Sequence, residues 1–271
     1  MEDKYEALVM GARDMENKFT FWFEKIKDCG IAVPKTRVFD IPTSLLNAAW
    51  MDRSVYSKWF EAKVMPFLKE DGLNGKVFVK NGVFSNKFDA KSCICYAWDI
   101  PRSIAEINEA AAEMFFGYAG DDELVVREYI PADTRKTPCI YNGLPLRPEF
   151  RVFYDFDTHE VLYVCNYWEY GYVRPHLFNA TDIIVFDHEA EYMALVFEEK
   201  RDIVAKMVED AMKNVHGLTG PWSIDILYAE NDPEFARFIK DSRPEYWLID
   251  MAVAEQSAFW EFHTERIMGE M

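Results

Sequence analysis

Cysteine is scarce in this chain: Cys29, Cys93, Cys95, Cys139 and Cys165 make an odd, scattered set of five. That excludes a disulfide framework, and Cys93-x-Cys95 has no matching second pair with which to hold zinc. Period-two spacing on a strand would put Cys93 and Cys95 on one face, where they read as small buried hydrophobes. Glycine-rich phosphate cradles are missing too. Among the 12 glycines there is neither a Gly-x-x-x-x-Gly-Lys-Ser/Thr run nor a Gly-x-Gly-x-x-Gly run, so a P-loop and a dinucleotide fingerprint are both excluded. The five histidines are scattered, with no Ser-His-Asp order or nucleophile elbow, and each reads as a surface or capping residue. No apolar run approaches the roughly 20 residues needed to span a bilayer. Met1-Glu2-Asp3-Lys4-Tyr5-Glu6 lacks the apolar core of a signal peptide, so the expectation is a cytoplasmic protein with no membrane partner. Positive charge is short as well. Thirty Lys and Arg stand against 47 Asp and Glu, a formal charge of −17, which excludes a broad phosphate-tracking surface and with it a nucleic-acid partner. Each Lys or Arg that is present therefore carries information, because an anionic ligand approaches only where cations are gathered.

Half the residues are hydrophobic and 16% are aromatic, enough for a well-buried core in one large domain or two lobes. Phe19, Trp22, Phe23 and Ile26 fall at helical spacing, which predicts a helix over 15–29 closed by Gly30. An extended segment over 31–39 follows, then helices over 43–51 and 54–69 with Thr43 and Ser54 as N-caps. Lys76–Lys80 reads as a strand that runs into a small, polar, glycine-containing loop, 81–87, and a second strand is expected over 93–98. Such a unit either folds over a phosphate with backbone N–H donors or is an ordinary hairpin with one exposed Lys. Ser103-Ile104-Ala105-Glu106 reads as a capping box opening a helix that runs to Phe116 and closes at Gly117. Leu124–Pro131 reads as a buried strand, and Glu189–His216 as the longest helix.

The hairpin Leu146-Arg147-Pro148-Glu149-Phe150-Arg151-Val152-Phe153-Tyr154-Asp155-Phe156 brings two arginines and a glutamate to the mouth of an apolar element. Its return strand is 161–166, and the aromatic segment Tyr167–His176 comes next. Farther on, two apolar strands, 222–228 and 246–252, carry Asp225 and Asp250 in their interiors, with a polar stretch over 230–243 between them. Carboxylates are rare there without a cation or hydrogen-bond partner. If the strands pair antiparallel, the two share a face and suit a hard cation such as Mg²⁺. The alternative is a pair of structural aspartates in salt bridges with Arg151 or Arg147.

This order of parts — a Lys ending an apolar strand, a loop, an acid before a hydrophobic hinge, a Glu-Phe-Arg hairpin and two late carboxylate strands — resembles the ATP-grasp superfamily from about Lys18 to Ala258. Glu16-Asn17-Lys18 and Gly30–Thr36 look like its entry segment. Leu146–Arg151 and the paired Ser-Ile-Asp-Ile and Leu-Ile-Asp-Met strands resemble one branch, the cell-division-cycle family that helps assemble a eukaryotic translation initiation factor, along with related phage and bacterial proteins. The resemblance implies an α+β ATP-grasp fold, two lobes gripping a nucleotide between antiparallel sheets. It divides the chain into a reduced N-terminal region (1–74), a small lobe with the phosphate loop (75–135) and a large lobe with the metal strands (136–271). It also implies ATP and Mg²⁺ as cofactors. Lys18 and Lys80 would contact phosphates, Glu128, Tyr129 and Ile130 would form the adenine hinge, Arg151 would hold the γ-phosphate with Glu149 orienting it, and Asp225 and Asp250 would bind Mg²⁺. Arg174 would lie near the acceptor. The chain departs from the pattern at Ala252, where the family has Asn two residues after the acid. Glu255 or Gln256 replaces that ligand only if the backbone bends.

Three functions follow. The first is an ATP-dependent carboxylate–amine ligase working through an acyl phosphate on small-molecule substrates. The second is a non-catalytic ATP-binding assembly factor with a protein partner. The third is a binding module whose aspartates are structural.

Overall fold

The structure is a computed structural model, and it describes residues 15–49, 54–114, 122–132, 137–229 and 244–261. Two compact units emerge, one built from 1–33, 135–138 and 146–271, the other from 34–134 and 139–145. The expected helix end at Phe116–Gly117 and the polar stretch 230–243 lie outside the described residues.

Helix α1 (Phe19–Ile26) buries Phe19, Trp22, Phe23 and Ile26, the stripe the sequence predicts. It is shorter than the expected 15–29, and Gly30 takes a left-handed φ four residues beyond its end.

The chain then enters the smaller unit on β1 (Thr36–Asp40). Helices α2 (Thr43–Ala49), α3 (Val55–Lys63) and α4 (Met65–Glu70) lead to β2 (Lys76–Asn81). Ser54 stands before α3 without capping it through its side chain. Next come α5 (Ala90–Cys93), β3 (Ile94–Tyr96), α6 (Ile100–Met114) and β4 (Glu123–Glu128). The four strands form one antiparallel sheet in the order β1-β4-β2-β3. Two expectations are corrected here. The strand over 93–98 shrinks to three residues because Cys93 closes α5. The capping box at Ser103 fails because α6 starts three residues earlier, leaving Ser103 buried inside the helix. Cys93 and Cys95 are both buried, and burial pushes their thiols up to about 12 and about 11 respectively.

Period two divides this sheet into unlike faces. Val77, Val79, Leu124 and Val126 join the apolar core with Tyr56, Phe60, Leu68, Ile100 and Ile104. Lys80, Phe78, Val125, Arg127 and Thr36 lie on the other face, since Phe78 pairs with Arg127, Lys80 with Val125 and Thr36 with Arg127.

After a short hairpin, β5 (Cys139–Ile140) and β6 (Leu144–Pro145), the chain returns to the larger unit. There β7 (Glu149–Asp155) and β8 (Glu160–Asn166) form the expected hairpin. A short helix, α7 (Tyr170–Val173), precedes the 33-residue α8 (Ala180–Met212). That helix starts nine residues before the predicted Glu189, because Asn179 caps it by accepting from the Thr181 and Asp182 N–H groups at 2.8 and 3.3 Å. Strands β9 (Pro221–Tyr228) and β10 (Tyr246–Val253) complete an antiparallel sheet ordered β10-β9-β7-β8. One face carries Phe150, Val152, Tyr154, Trp222, Ile224 and Ile226, and Phe150 stacks on Phe197 of α8 with centroids 5.8 Å apart. No described helix is long and apolar enough to cross a membrane.

Candidate functional site

The opposite face of the larger sheet is charged. Register places Arg151 on β7 directly opposite Asp225 on β9, and Asp225 directly opposite Asp250 on β10. Directly opposed residues on antiparallel strands project to the same side with Cβ atoms about 4.5–5.5 Å apart. One cation and two carboxylates thus form a row across three strands. A bulge between Leu248 and Asp250 brings Asp250 into that row.

Arg151 is 9% exposed and Asp225 5%. Arg151 donates from Nε to Asp225 Oδ1 and from Nη2 to Oδ2, both at 2.8 Å, a bidentate pair. Its Nη1 donates to the Ala258 carbonyl at 3.3 Å, and the guanidinium lies 4.8 Å from the Tyr167 ring centroid. Burial alone would weaken the guanidinium's hold on its proton, but the Asp225 carboxylate, with Asp250 behind it, more than offsets this and raises its pKa. An arginine has five N–H groups. With three engaged, two remain, the number a bidentate oxyanion contact requires. The salt-bridge alternative is therefore realised for Arg151 and Asp225, and it uses only two of the five N–H groups of that arginine.

The segment after β10 lies across this arginine. Ser257 Oγ is 2.6 Å from Ser223 Oγ, and Trp260 packs on Phe153 at 5.3 Å. Phe259 holds a left-handed φ of 75°, strained for an aromatic residue, and packs at a tilt against Tyr172 with centroids 4.4 Å apart. Ser223 was legible in principle, since it precedes Asp225 by two on the same strand face. Ala258 and Phe259 were not, because nothing local marks them, whereas Tyr167 opens the aromatic segment 167–176 that the sequence already sets apart. Cys165, opposite Arg151 on β8, is pushed up to about 12 by burial and does not act as a thiolate.

Asp225 and Asp250 fit a Mg²⁺ site by donor chemistry. Both supply hard oxygens from adjacent positions, and each Asp225 oxygen keeps a second lone-pair direction beyond the arginine. Among the described residues no group of three or more His, Cys, Asp or Glu could hold a metal by itself. A two-carboxylate set suits an ion that shares its shell with phosphate oxygens and water. Asp250 Oδ1 also accepts its neighbour's N–H, from Met251 at 3.2 Å.

Of the other expected residues in this unit, Glu149 lies on β7 two residues before Arg151, on the same face. Lys18 occupies the N-cap position of α1. Arg174 is paired with Asp187 of α8 at 2.6 Å, and Tyr170 OH donates to the same oxygen at 3.0 Å. That exposed cluster ties α7 to α8.

In the smaller unit, Lys80 is only 5% exposed, at the end of β2. Glu128 closes β4, donating its N–H to the Lys35 carbonyl at 2.7 Å. Tyr129 packs under Lys76, whose Nζ is 4.2 Å from the ring centroid, and Ile130 is buried. The loop after Lys80 is pinned by Asn81. Its Oδ1 accepts from the N–H groups of Val83 and Phe84 at 3.0 and 2.6 Å, and its Nδ2 donates to Asn108 at 3.1 Å. Asn81→Ala removes those bonds and takes the donor from the buried Asn108 Oδ1. It is expected to cost about 1–3 kcal/mol and to speed proteolysis within 81–87, measured by urea unfolding and limited digestion. Unchanged values would show the loop is held elsewhere.

No protein-family model and no curated protein matches this chain. Solved structures do. The fold is that of the ATP-grasp proteins. A C-terminally truncated Cdc123 from Schizosaccharomyces pombe shares it at TM-score 0.55 and 16% identity, covering 95% of this chain and 91% of that one. A second structure of Cdc123 from the same organism matches at TM-score 0.55 and 15% identity, over 95% and 92%. D-alanine–D-alanine ligase from Bacillus anthracis, solved with ATP, matches at TM-score 0.43 and 10% identity, over 93% and 59%.

Proposed function

We propose that this protein binds ATP with Mg²⁺ and acts as an ATP-dependent carboxylate–amine ligase. The row Arg151–Asp225–Asp250 carries the reading. It places a guanidinium with two unused N–H groups beside two opposed carboxylates, as a triphosphate and its cation require. Arg151 binds the γ-phosphate, oriented with help from Glu149, and Asp225 and Asp250 hold the cation. Lys18 and Lys80 neutralise phosphate oxygens. Glu128, Tyr129 and Ile130 contact the adenine, and an extended segment leaving β4 suits that hinge. When bound, Mg²⁺ neutralises charge developing on the phosphates. A substrate carboxylate attacks the γ-phosphorus as ADP leaves. The amine then attacks the acyl phosphate and expels inorganic phosphate. The partners are a small carboxylic acid and an amine in the cytoplasm, with Arg174 as a further substrate contact at the surface.

Ala252 favours a second reading, a protein that retains ATP without turnover and assists assembly of a protein partner, because the strand lacks the Asn that the family pattern places there. Thermal shift tests ATP binding in both. At nucleotide about 100 times above Kd the wild type gains about 2.7 kcal/mol, and Lys80→Ala or Asp225→Asn loses that gain. No shift at millimolar Mg²⁺–ATP would sink both readings. ADP release across a panel of amino acids and small acids supports the ligase. Stoichiometric ATP retention without release supports the assembly factor.

A further inference from the structure

Strand β10 is an edge. In the order β10-β9-β7-β8 it has, among the described residues, a strand partner on one side only, with a single parallel bridge from Trp247 to Ala32 on the other, whereas β9, which carries Asp225, is held on both. An edge strand keeps a row of N–H and C=O groups outside the sheet, and a carboxylate on it is fixed only as well as those groups are tied. Three such N–H groups have partners away from β9. Leu248 donates to the Ala32 carbonyl at 2.9 Å, Met251 to its neighbour Asp250 Oδ1 at 3.2 Å, and Val253 to Asn17 Oδ1 at 2.7 Å.

Asn17 uses the other end of its amide as well, donating from Nδ2 to Gln256 Oε1. Gln256 closes the 3₁₀ turn Ala254–Gln256, in which the backbone bends away directly after β10. One side chain from the start of the described chain therefore bridges the last residue of the carboxylate strand and the turn that leaves it. The bridge spans 236 and 239 residues in sequence. It lies one residue past Ala252 and three past Asp250.

We propose that Asn17 is a positioning residue for the cation: it fixes the exit of β10, and through it the Asp250 carboxylate, replacing by a tertiary bridge some of the order that a side-chain amide at position 252 would supply. This rests on the reading that Asp225 and Asp250 hold Mg²⁺ for ATP. Both ends of the Asn17 amide are engaged, so it acts through Asp250 and does not ligate the ion. Mg²⁺ demands near-ideal octahedral geometry, so a carboxylate on a loosened edge binds it less well. The bridge also sets Lys18, the next residue, beside the strand exit at the start of α1.

The test is a Mg²⁺ titration of the full chain at fixed millimolar ATP, read by thermal shift, with the ligand-free melting temperature and the ATP half-saturation at high Mg²⁺ measured alongside. Asn17→Ala is expected to raise the half-saturating Mg²⁺ roughly tenfold, the low end of the effect of losing a residue that orients a metal ligand, while the ATP half-saturation at high Mg²⁺ moves less than about threefold. Asn17→Asp keeps the acceptor for the Val253 N–H and should recover most of the difference. Gln256→Ala removes the Gln256 end of the bridge, keeps the Asn17–Val253 bond and gives a smaller rise, which keeps the test decisive if Asn17→Ala does not fold. A half-saturating Mg²⁺ within about twofold of wild type in both Ala variants would overturn the positioning role and leave the cation reading standing. A wild type with no Mg²⁺-dependent shift would overturn the cation reading, and the role of Asn17 with it.

Discussion

Asp225→Ala will cost about 3–5 kcal/mol of folding stability, because it leaves the Arg151 guanidinium buried and unpaired. Arg151→Met with Asp225→Leu will recover most of that loss, since apolar residues of similar size replace a buried ion pair with little net cost and sometimes with a gain. The double variant will still show no Mg²⁺–ATP shift. Both charges sit within one bidentate contact of 2.8 Å and are almost wholly removed from water. Their attraction largely offsets the cost of desolvating them, so the pair contributes little net stability. Urea midpoints give the stability arm and thermal shift gives the ligand arm. An Asp225→Ala midpoint equal to wild type would mean that the pair does not form in solution. A ligand-responsive double variant would remove this row from the nucleotide site.

Trp222→Ala will cost about 3–5 kcal/mol by cavity formation, and its effect belongs to the other face of the same strand. Trp222 is fully buried. It stacks with Phe21 at 6.4 Å, meets Phe156 edge-on at 6.5 Å, and donates Nε1–H to the Thr219 carbonyl at 3.1 Å. None of these contacts touches Arg151, Asp225 or Asp250. Where enough of the variant remains folded, its half-saturating ATP should stay within about threefold of wild type, because changes with no shared partners are nearly independent. A loss of nucleotide affinity out of proportion to the loss of stability would show that the two faces are coupled.

These experiments separate faces that the sequence distinguishes only in part. Period two on β7 sorts Val152 and Tyr154 from Arg151 correctly. It does not reveal that Phe153, on the charged side, is as buried as the apolar side, because Trp260 and Phe259 arrive from a segment about a hundred residues away. Helix α1 was legible because its apolar spacing and its burial coincide. The start of α8 was missed although Asn179 is a good N-cap residue, since the apolar stripe becomes regular only near Met193. The capping box at Ser103 misled because Ile100 and Ile104 already pack into the core, and that burial extends α6 by a turn over the local signal.

The sequence by itself determined the chemical inventory and the elements that carry it: two carboxylates in apolar strands, an arginine in a hairpin, a lysine ending a strand, and an α+β order of parts. Those are local properties, readable from periodicity and from the cost of burying charge. Only the tertiary structure decided that Arg151, Asp225 and Asp250 share one row, that Ala258 takes an N–H of that arginine, and that Asn17 ties the strand bearing Asp250. Strand register depends on which residues meet across a sheet, and a side-chain bridge over more than two hundred residues leaves no pattern along the chain.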